Sequence, residues 1–140
     1  MYVLLDTNIL LDIYLKREPL CSESLALLTQ LHTRARTCIT VAQTKDVYYF
    51  VYRTFKSHEI ARGRIKNLQS SINILSNTPE DSVLAIDSPM TDYEDALIAF
   101  CAERHKVDYI VTRNVADFKH SPVPAVSPAE LMAELERLQE

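Results

Sequence analysis

Four aspartates stand where a chain of alternating strands and helices would gather them. Asp6 closes the apolar run Tyr2-Val3-Leu4-Leu5, and Asp46 lies just after a strand from Thr37 to Val41. Asp95 sits in the first turns of a helix opened by Thr91-Asp92-Tyr93-Glu94, and Asp117 follows the strand Tyr109 to Thr112 by way of Asn114. In a parallel sheet all of these places share the edge formed by the strand C-termini, where open α/β proteins place their ligands. Carboxylates crowded into one cleft repel, and each resists ionising beside another. A divalent cation resolves that conflict, and hard oxygen donors with retained waters select Mg²⁺ or Mn²⁺ rather than zinc.

Each acid also has a plainer explanation. Asp6 or Thr7 is a good N-cap for a helix starting near Ile9. Asp92 and Glu94 suit the positive end of a helix dipole. A lone aspartate in a helix or loop, such as Asp46 or Asp117, is usually solvated. Asp95 is harder to dismiss. Between it and Glu103 runs Ala-Leu-Ile-Ala-Phe-Cys-Ala, without a polar side chain other than the thiol, so the helix is apolar nearly all round and must be largely buried. A buried, unpaired carboxylate costs several kcal/mol and needs a cation or hydrogen bonds.

The elements that must position these acids follow from the pattern. The run Tyr2 to Leu5 reads as a buried strand, and Ile9 to Lys16 as a helix with Ile9, Leu10, Ile13 and Tyr14 facing the core, stopped by Pro19. A second helix reaches about Thr33 with Leu20, Leu27, Leu28 and Leu31 on one face. Ala42 to Lys56 fits helical period through Val47, Phe50, Val51 and Phe55, although Tyr48, Tyr49 and Tyr52 would equally suit a strand. Ser57 caps a further helix with Ala61, Ile65 and Leu68 at its core positions, and a strand follows at Ile72 to Leu75. Thr78-Pro79-Glu80-Asp81, Thr91-Asp92-Tyr93-Glu94 and Ser127-Pro128-Ala129-Glu130 are helix starts of the cap, proline or capping-box kind. The last opens an amphipathic helix carrying Leu131, Leu135 and Leu138. Pro122 and Pro124 confine Val123 to Val126 to a short edge strand. Strands alternating with helices imply an α/β fold, a three-layer α/β/α sandwich around a mostly parallel sheet, built as a single domain over residues 1–140.

Composition narrows the chemistry. With 47% apolar residues in 140, the chain can bury a packed core. A single glycine, Gly63, leaves no material for a phosphate-cradling loop, a dinucleotide fingerprint or a nucleophile elbow. His32, His58, His105 and His120 have no zinc-type spacing, and there is no Ser-His or Cys-His arrangement for nucleophilic catalysis. Cys21, Cys38 and Cys101 lie in apolar surroundings and read as buried thiols of a reducing compartment, the cytoplasm. No segment has the length of a membrane span or the pattern of a signal peptide. A net charge of −4 argues against broad electrostatic binding of nucleic acid but permits a local basic patch. Arg53, Lys56, Arg62, Arg64 and Lys66 form one candidate, with a solvated helix face as the plainer reading.

Val3-Leu-Leu-Asp6-Thr7-Asn8, Tyr93-Glu94-Asp95-Ala-Leu-Ile-Ala99 and Ile110-Val-Thr112-Arg113-Asn114-Val-Ala-Asp117-Phe118, in that order and spacing, resemble the motifs of PIN-domain nucleases. The resemblance is to the small single-domain type of VapC toxins and covers essentially the whole chain. It implies metal-dependent cleavage of RNA, with Mg²⁺ or Mn²⁺ as cofactor. Asp6, Asp46, Asp95 and Asp117 would be the catalytic acids, and Asp6, Asp95, Asn114 and Asp117 the metal ligands. Thr7, Asn8 and Thr112 match positions that orient the carboxylates. Contacts to RNA would come from Arg53, Lys56, Arg62, Lys66 and Arg113. The resemblance also implies a small antitoxin partner and a homodimer, with Tyr48 to Tyr52 as a candidate interface. Two departures stand out. Asp46 falls where a glutamate is usual and is shorter by one methylene, and Asn114 brings a carbonyl without charge where many members carry an acid. They leave a non-catalytic RNA-binding or assembly module as the alternative. A phosphatase of the haloacid-dehalogenase type also opens on a strand ending in aspartate, but it requires a second aspartate where this chain has Asn8.

Overall fold

A computed structural model describes residues 1–139. Five strands, β1 (Tyr2–Leu5), β2 (Arg36–Thr40), β3 (Asn73–Leu75), β4 (Tyr109–Val111) and β5 (Ala125–Val126), form one sheet in the order β3-β2-β1-β4-β5. Every neighbouring pair is parallel. Parallel neighbours require crossover connections. Seven helices are described: α1 (Thr7–Tyr14), α2 (Leu20–Arg34), α3 (Val41–Phe55), α4 (His58–Ser71), α5 (Pro79–Ile86), α6 (Tyr93–Arg104) and α7 (Pro128–Arg137), with a one-turn 3-10 helix at Val115–Phe118.

The sheet is buried on both faces because successive side chains of a strand alternate between them. Leu4, Cys38 and Ile110 point to one core, shared with Ala96, Ala99 and Ala102 of α6 and with Phe118. Val3, Leu5, Ile39 and Val111 point to the other, against Leu27 and Leu31 of α2, Val47 and Val51 of α3, Leu68 of α4 and Leu131 of α7. The result is the expected three-layer sandwich, with β1 at its centre. Cys21, Cys38 and Cys101 are free and buried, and burial pushes the Cys38 thiol up to about 12. No helix among the described residues is long and apolar enough to cross a membrane.

Several local expectations change. The first helix ends at Tyr14 rather than Lys16, since Lys16 turns into the left-handed region at φ 53°, and Pro19 opens α2 instead of closing α1. The aromatic segment is helical because Thr40 and Gln43 form a reciprocal capping box and Val47 and Val51 are buried one turn apart. Helix α6 is capped by Asp92, whose carboxylate accepts from the Asp95 N–H, not by Thr91. Asp92 is therefore the cap, and Asp95 moves into the first turn. Leu138 lies beyond the end of α7 and is 57% exposed, so only Leu131 and Leu135 of the expected stripe reach the core.

Candidate active site

A cleft of about 620 Å³ opens at the C-terminal edge of the sheet. Its floor is Asp6, Thr7 and Asn8 at the exit of β1, with Asn114 and Asp117 from the turn after β4. One wall is the first half of α3, including Gln43, Lys45, Asp46, Tyr49 and Phe50; the other is the start of α6, including Tyr93, Glu94, Asp95 and Ile98. The four aspartates singled out from the sequence thus line one space, contributed by four separate parts of the chain.

Asp6 is both a cap and a cleft residue. One carboxylate oxygen accepts the Thr7 N–H at 2.8 Å and the other accepts the Thr112 hydroxyl at 2.7 Å. The Thr112 hydroxyl oxygen in turn accepts the Asn114 N–H at 3.0 Å. Thr112 is buried behind the floor and fixes the Asp6 carboxylate from below. Burial pushes the Asp6 carboxyl up; the bonds from Thr112 and Thr7 and the charge of Arg113 pull it back, while Asp117 adds to the rise.

Asp95 is more strongly perturbed. Burial, then the negative charges of Asp6, Asp92, Asp117 and Glu94, push its carboxyl up to about 7. Asp117 is exposed on the 3-10 turn, and Asn114 is exposed just before it. Asp46 is partly buried and carries an ion pair with Lys45 at 3.2 Å. Asn8 lines the floor, between Thr7 and the apolar start of α1.

The basic residues separate into two groups. Arg53 and Lys56, at the far end of α3, and Arg62 and Lys66, on α4, are exposed outside the cleft lining. Arg64 instead lies over the Tyr14 ring at 5.6 Å. Arg113 turns away from the opening: its guanidinium pairs with Asp12 of α1 through Nη2 and Nε, each at 2.9 Å. The tyrosines of α3 are likewise divided. The Tyr48 hydroxyl lies 2.6 Å from Nδ1 of His58 and the Tyr52 ring stacks on that imidazole at 4.3 Å, whereas Tyr49 is exposed.

Two supporting residues escaped the sequence reading. Gln43 is buried; its side-chain N–H donors reach the Leu5 carbonyl at 2.8 Å and the Thr7 hydroxyl at 3.2 Å, and its carbonyl accepts the Thr40 N–H. It therefore ties the exits of β1 and β2 together under the cleft. The spacing Thr40-x-x-Gln43 was the available signal. Asp12 is wholly buried, and the signal was a charged residue inside the otherwise apolar run Ile9 to Leu15.

The donor chemistry fits a hard divalent cation: carboxylates and the side-chain amides of Asn8, Gln43 and Asn114, with no thiol or imidazole among its lining. Among the described residues, however, no three His, Cys, Asp or Glu side chains stand grouped as a ready cage for a metal ion.

Comparison with known proteins identifies the family. The sequence model of the PIN domain matches residues 2–116. The chain belongs to the PIN-domain family. No curated protein sequence matches it. Among solved structures, the fold is similar to VapBC2 of Rickettsia felis bound to a DNA fragment from its promoter, at TM-score 0.72 and 18% identity over 91% of this chain and 98% of that one. A toxin-antitoxin complex from Klebsiella pneumoniae matches at TM-score 0.66 and 24% identity, over 90% of this chain and 97% of the other. The sarcin-ricin-loop-cleaving toxin VapC20 of Mycobacterium tuberculosis matches at TM-score 0.62 and 10% identity, over 77% and 86%. At these identities the likeness is one of fold.

Proposed function

We propose that the protein is a divalent-metal-dependent endoribonuclease and the toxin component of a toxin-antitoxin pair. The observation that carries the reading is the meeting of Asp6, Asp46, Asp95 and Asp117 in one cleft, with Asp95 pushed up to about 7 by burial and its acidic neighbours. Such a cluster is unfavourable without a cation to neutralise it. Asp6, Asp95 and Asp117 would hold Mg²⁺ or Mn²⁺, with the Asn114 carbonyl as a neutral donor and Asp46 acting from the α3 wall, directly or through water. A hard divalent cation bound there supplies acidification of water and neutralisation of charge on phosphoryl oxygens. The protein's own part is positional: Thr112 and the Thr7 N–H hold the Asp6 carboxylate, and Gln43 holds Thr7. Asn8 lines the floor beside them. Arg53, Lys56, Arg62 and Lys66 form a basic surface for the flanking RNA backbone, and Arg113 adds positive charge behind Asp6.

The antitoxin partner is supported by the VapBC complexes among the fold neighbours. A homodimer is supported by Val83, Leu84 and Ile86 of α5, three apolar side chains exposed within about one turn. Buried free thiols support a cytoplasmic location. One observation favours a second reading, a non-catalytic RNA-binding or assembly module. It is the neutral Asn114 among the carboxylates that line the cleft.

Incubation of a labelled mixed RNA with the antitoxin-free protein, with Mg²⁺ or Mn²⁺ and with EDTA, tests the proposal. Cleavage that requires the metal and disappears in Asp6→Asn and Asp95→Asn supports it. Binding without cleavage by the folded protein, across several RNAs, would leave the non-catalytic reading.

A further inference from the structure

We infer that Tyr49 is the stacking platform for an unpaired base of the RNA held in the cleft. The inference rests on the ribonuclease reading of the same cleft and adds a residue that would hold a base of the substrate.

Asp46, Tyr49, Phe50 and Arg53 occur at i, i+3, i+4 and i+7 and share one stripe of α3. The first three line the cleft. Arg53 continues the stripe beyond the lining, about 10 Å from Asp46 at ~1.5 Å per residue. Tyr49 is 54% exposed although it sits in a wall rather than on an open surface. Its ring meets Phe50 edge-to-face, with centroids 5.2 Å apart and planes at 76°. That contact fixes the ring while an aromatic surface remains open to solvent. Opposite, Tyr93 of α6 is 40% exposed, and its hydroxyl is engaged by Ser82 at 2.7 Å.

An aromatic ring held beside a cluster of carboxylates, with a cation further along the same stripe, matches what a single strand presents. A strand offers a phosphate to the metal-binding end, a base face to the ring and a further phosphate to Arg53. Base stacking on aromatic side chains tolerates any base, because every base has a π-face. A base inside a duplex has both faces covered by its neighbours and cannot use the ring unless it is pulled out, which costs a few kcal/mol. The tyrosines that turn inward show the contrast. Tyr48 and Tyr52 are engaged with His58, but Tyr49 has Phe50 alone as its aromatic partner.

The test uses short RNAs carrying a fluorescent adenine analogue whose emission is quenched by stacking, titrated with the full chain in EDTA so that no cleavage occurs. Wild type and Tyr49→Phe are expected to quench the unpaired strand and bind it alike, and Tyr49→Ala to lose the quenching and about tenfold in affinity. A blunt duplex is expected to show neither quenching nor dependence on residue 49. Equal binding and quenching by wild type and Tyr49→Ala, or equal quenching of strand and duplex, would overturn the inference and leave the nuclease reading standing. Loss of co-purification with a cognate antitoxin in Tyr49→Ala, with RNA binding unchanged, would assign the ring to a protein partner and overturn it as well. Failure of the wild-type chain to bind or cut any RNA would remove both readings.

Discussion

The guanidinium of Arg113 donates from Nη2 to one carboxylate oxygen of Asp12 at 2.9 Å and sets Nε 2.9 Å from the other as an ion-pair contact. Asp12 belongs to the helix that Asp6 caps, and Arg113 follows the threonine that bonds Asp6. Helix α1 is therefore fastened to the turn after β4 at two points, Asp6 to Thr112 and Asp12 to Arg113. Asp12 is wholly buried, so removing Arg113 leaves its carboxylate in the interior with only the more distant Arg17, 3.9 Å away. Arg113→Met is expected to cost roughly 3 kcal/mol of stability, read as a lower urea midpoint, and Asp12→Asn less, since burial raises the Asp12 carboxyl despite Arg113 and the guanidinium left behind is partly exposed. The double variant Asp12→Leu with Arg113→Met should recover part of the loss, since the only charge then left without its partner is the solvent-exposed Arg17. A loss in the double variant equal to the sum of the single ones would show that the two residues do not act as a pair.

The bond from Thr112 to Asp6 is a test of positioning. Thr112→Val keeps the shape and removes the hydroxyl that donates to the carboxylate and accepts from the Asn114 N–H. Residues that orient metal ligands typically influence affinity or activity by about 10–100-fold. Thr112→Val is expected to weaken Mn²⁺ binding by that order, measured by electron paramagnetic resonance of the free ion, in parallel with any loss of RNA cleavage. Unchanged Mn²⁺ affinity would mean that the hydroxyl serves the fold alone.

The parts of this arrangement that the sequence revealed are those governed by local rules. Continuous apolar runs ending in Asp6 and Thr112 mark strands whatever surrounds them, and the start of α5 at Thr78-Pro79 is specified by its own residues. The partner of Asp12 was not legible. A helical aspartate looks the same whether it faces water or a partner a hundred residues away, and only the tertiary fold brings Arg113 to it. Helix α6 shows a second limit: Thr91-x-x-Glu94 and Asp92-x-x-Asp95 have the same capping spacing, and local chemistry alone does not choose between them. The choice matters because it sets which acid lies in the first turn. The folding of α3 was ambiguous for a related reason. Its tyrosines suit either structure, and burial of Val47 and Val51 against the sheet decides for the helix.

Away from the cleft, Asp81 and Arg104 set an acid limb. Burial alone would raise the Asp81 carboxyl, but the Arg104 guanidinium, with Nε at 3.0 Å and Nη2 at 2.9 Å, and the Thr78 N–H at 2.9 Å hold it below the usual range. A depressed carboxyl contributes stability above its unfolded value that is lost as pH falls through its folded value. Wild type is therefore expected to lose melting temperature steeply below about pH 4. Asp81→Asn should be less stable at neutral pH by roughly 2 kcal/mol and show a flatter acid limb. An unaltered acid limb in Asp81→Asn would place the acid sensitivity elsewhere.

Asp95 has the opposite sign. Its carboxyl is pushed from 3.8 to about 7, so between those values the folded chain keeps a proton that the unfolded chain has released. The metal-free protein is consequently expected to lose stability as pH rises across that window, and to level off above about pH 7. The full shift would set a ceiling, and because the side chain is partly exposed, solvent screening reduces the effect to about 1–2 kcal/mol. Asp95→Asn removes the penalty and should raise the melting temperature in EDTA at pH 8 while leaving it little changed at pH 4. If the cleft takes a divalent cation, Mg²⁺ or Mn²⁺ should raise the wild-type melting temperature at pH 8 by mass action and have much less effect on Asp95→Asn. The variant that is more stable without metal would thus gain least from it. A cation response of equal size in both proteins would place the bound metal away from Asp95 and count against the cleft as its site.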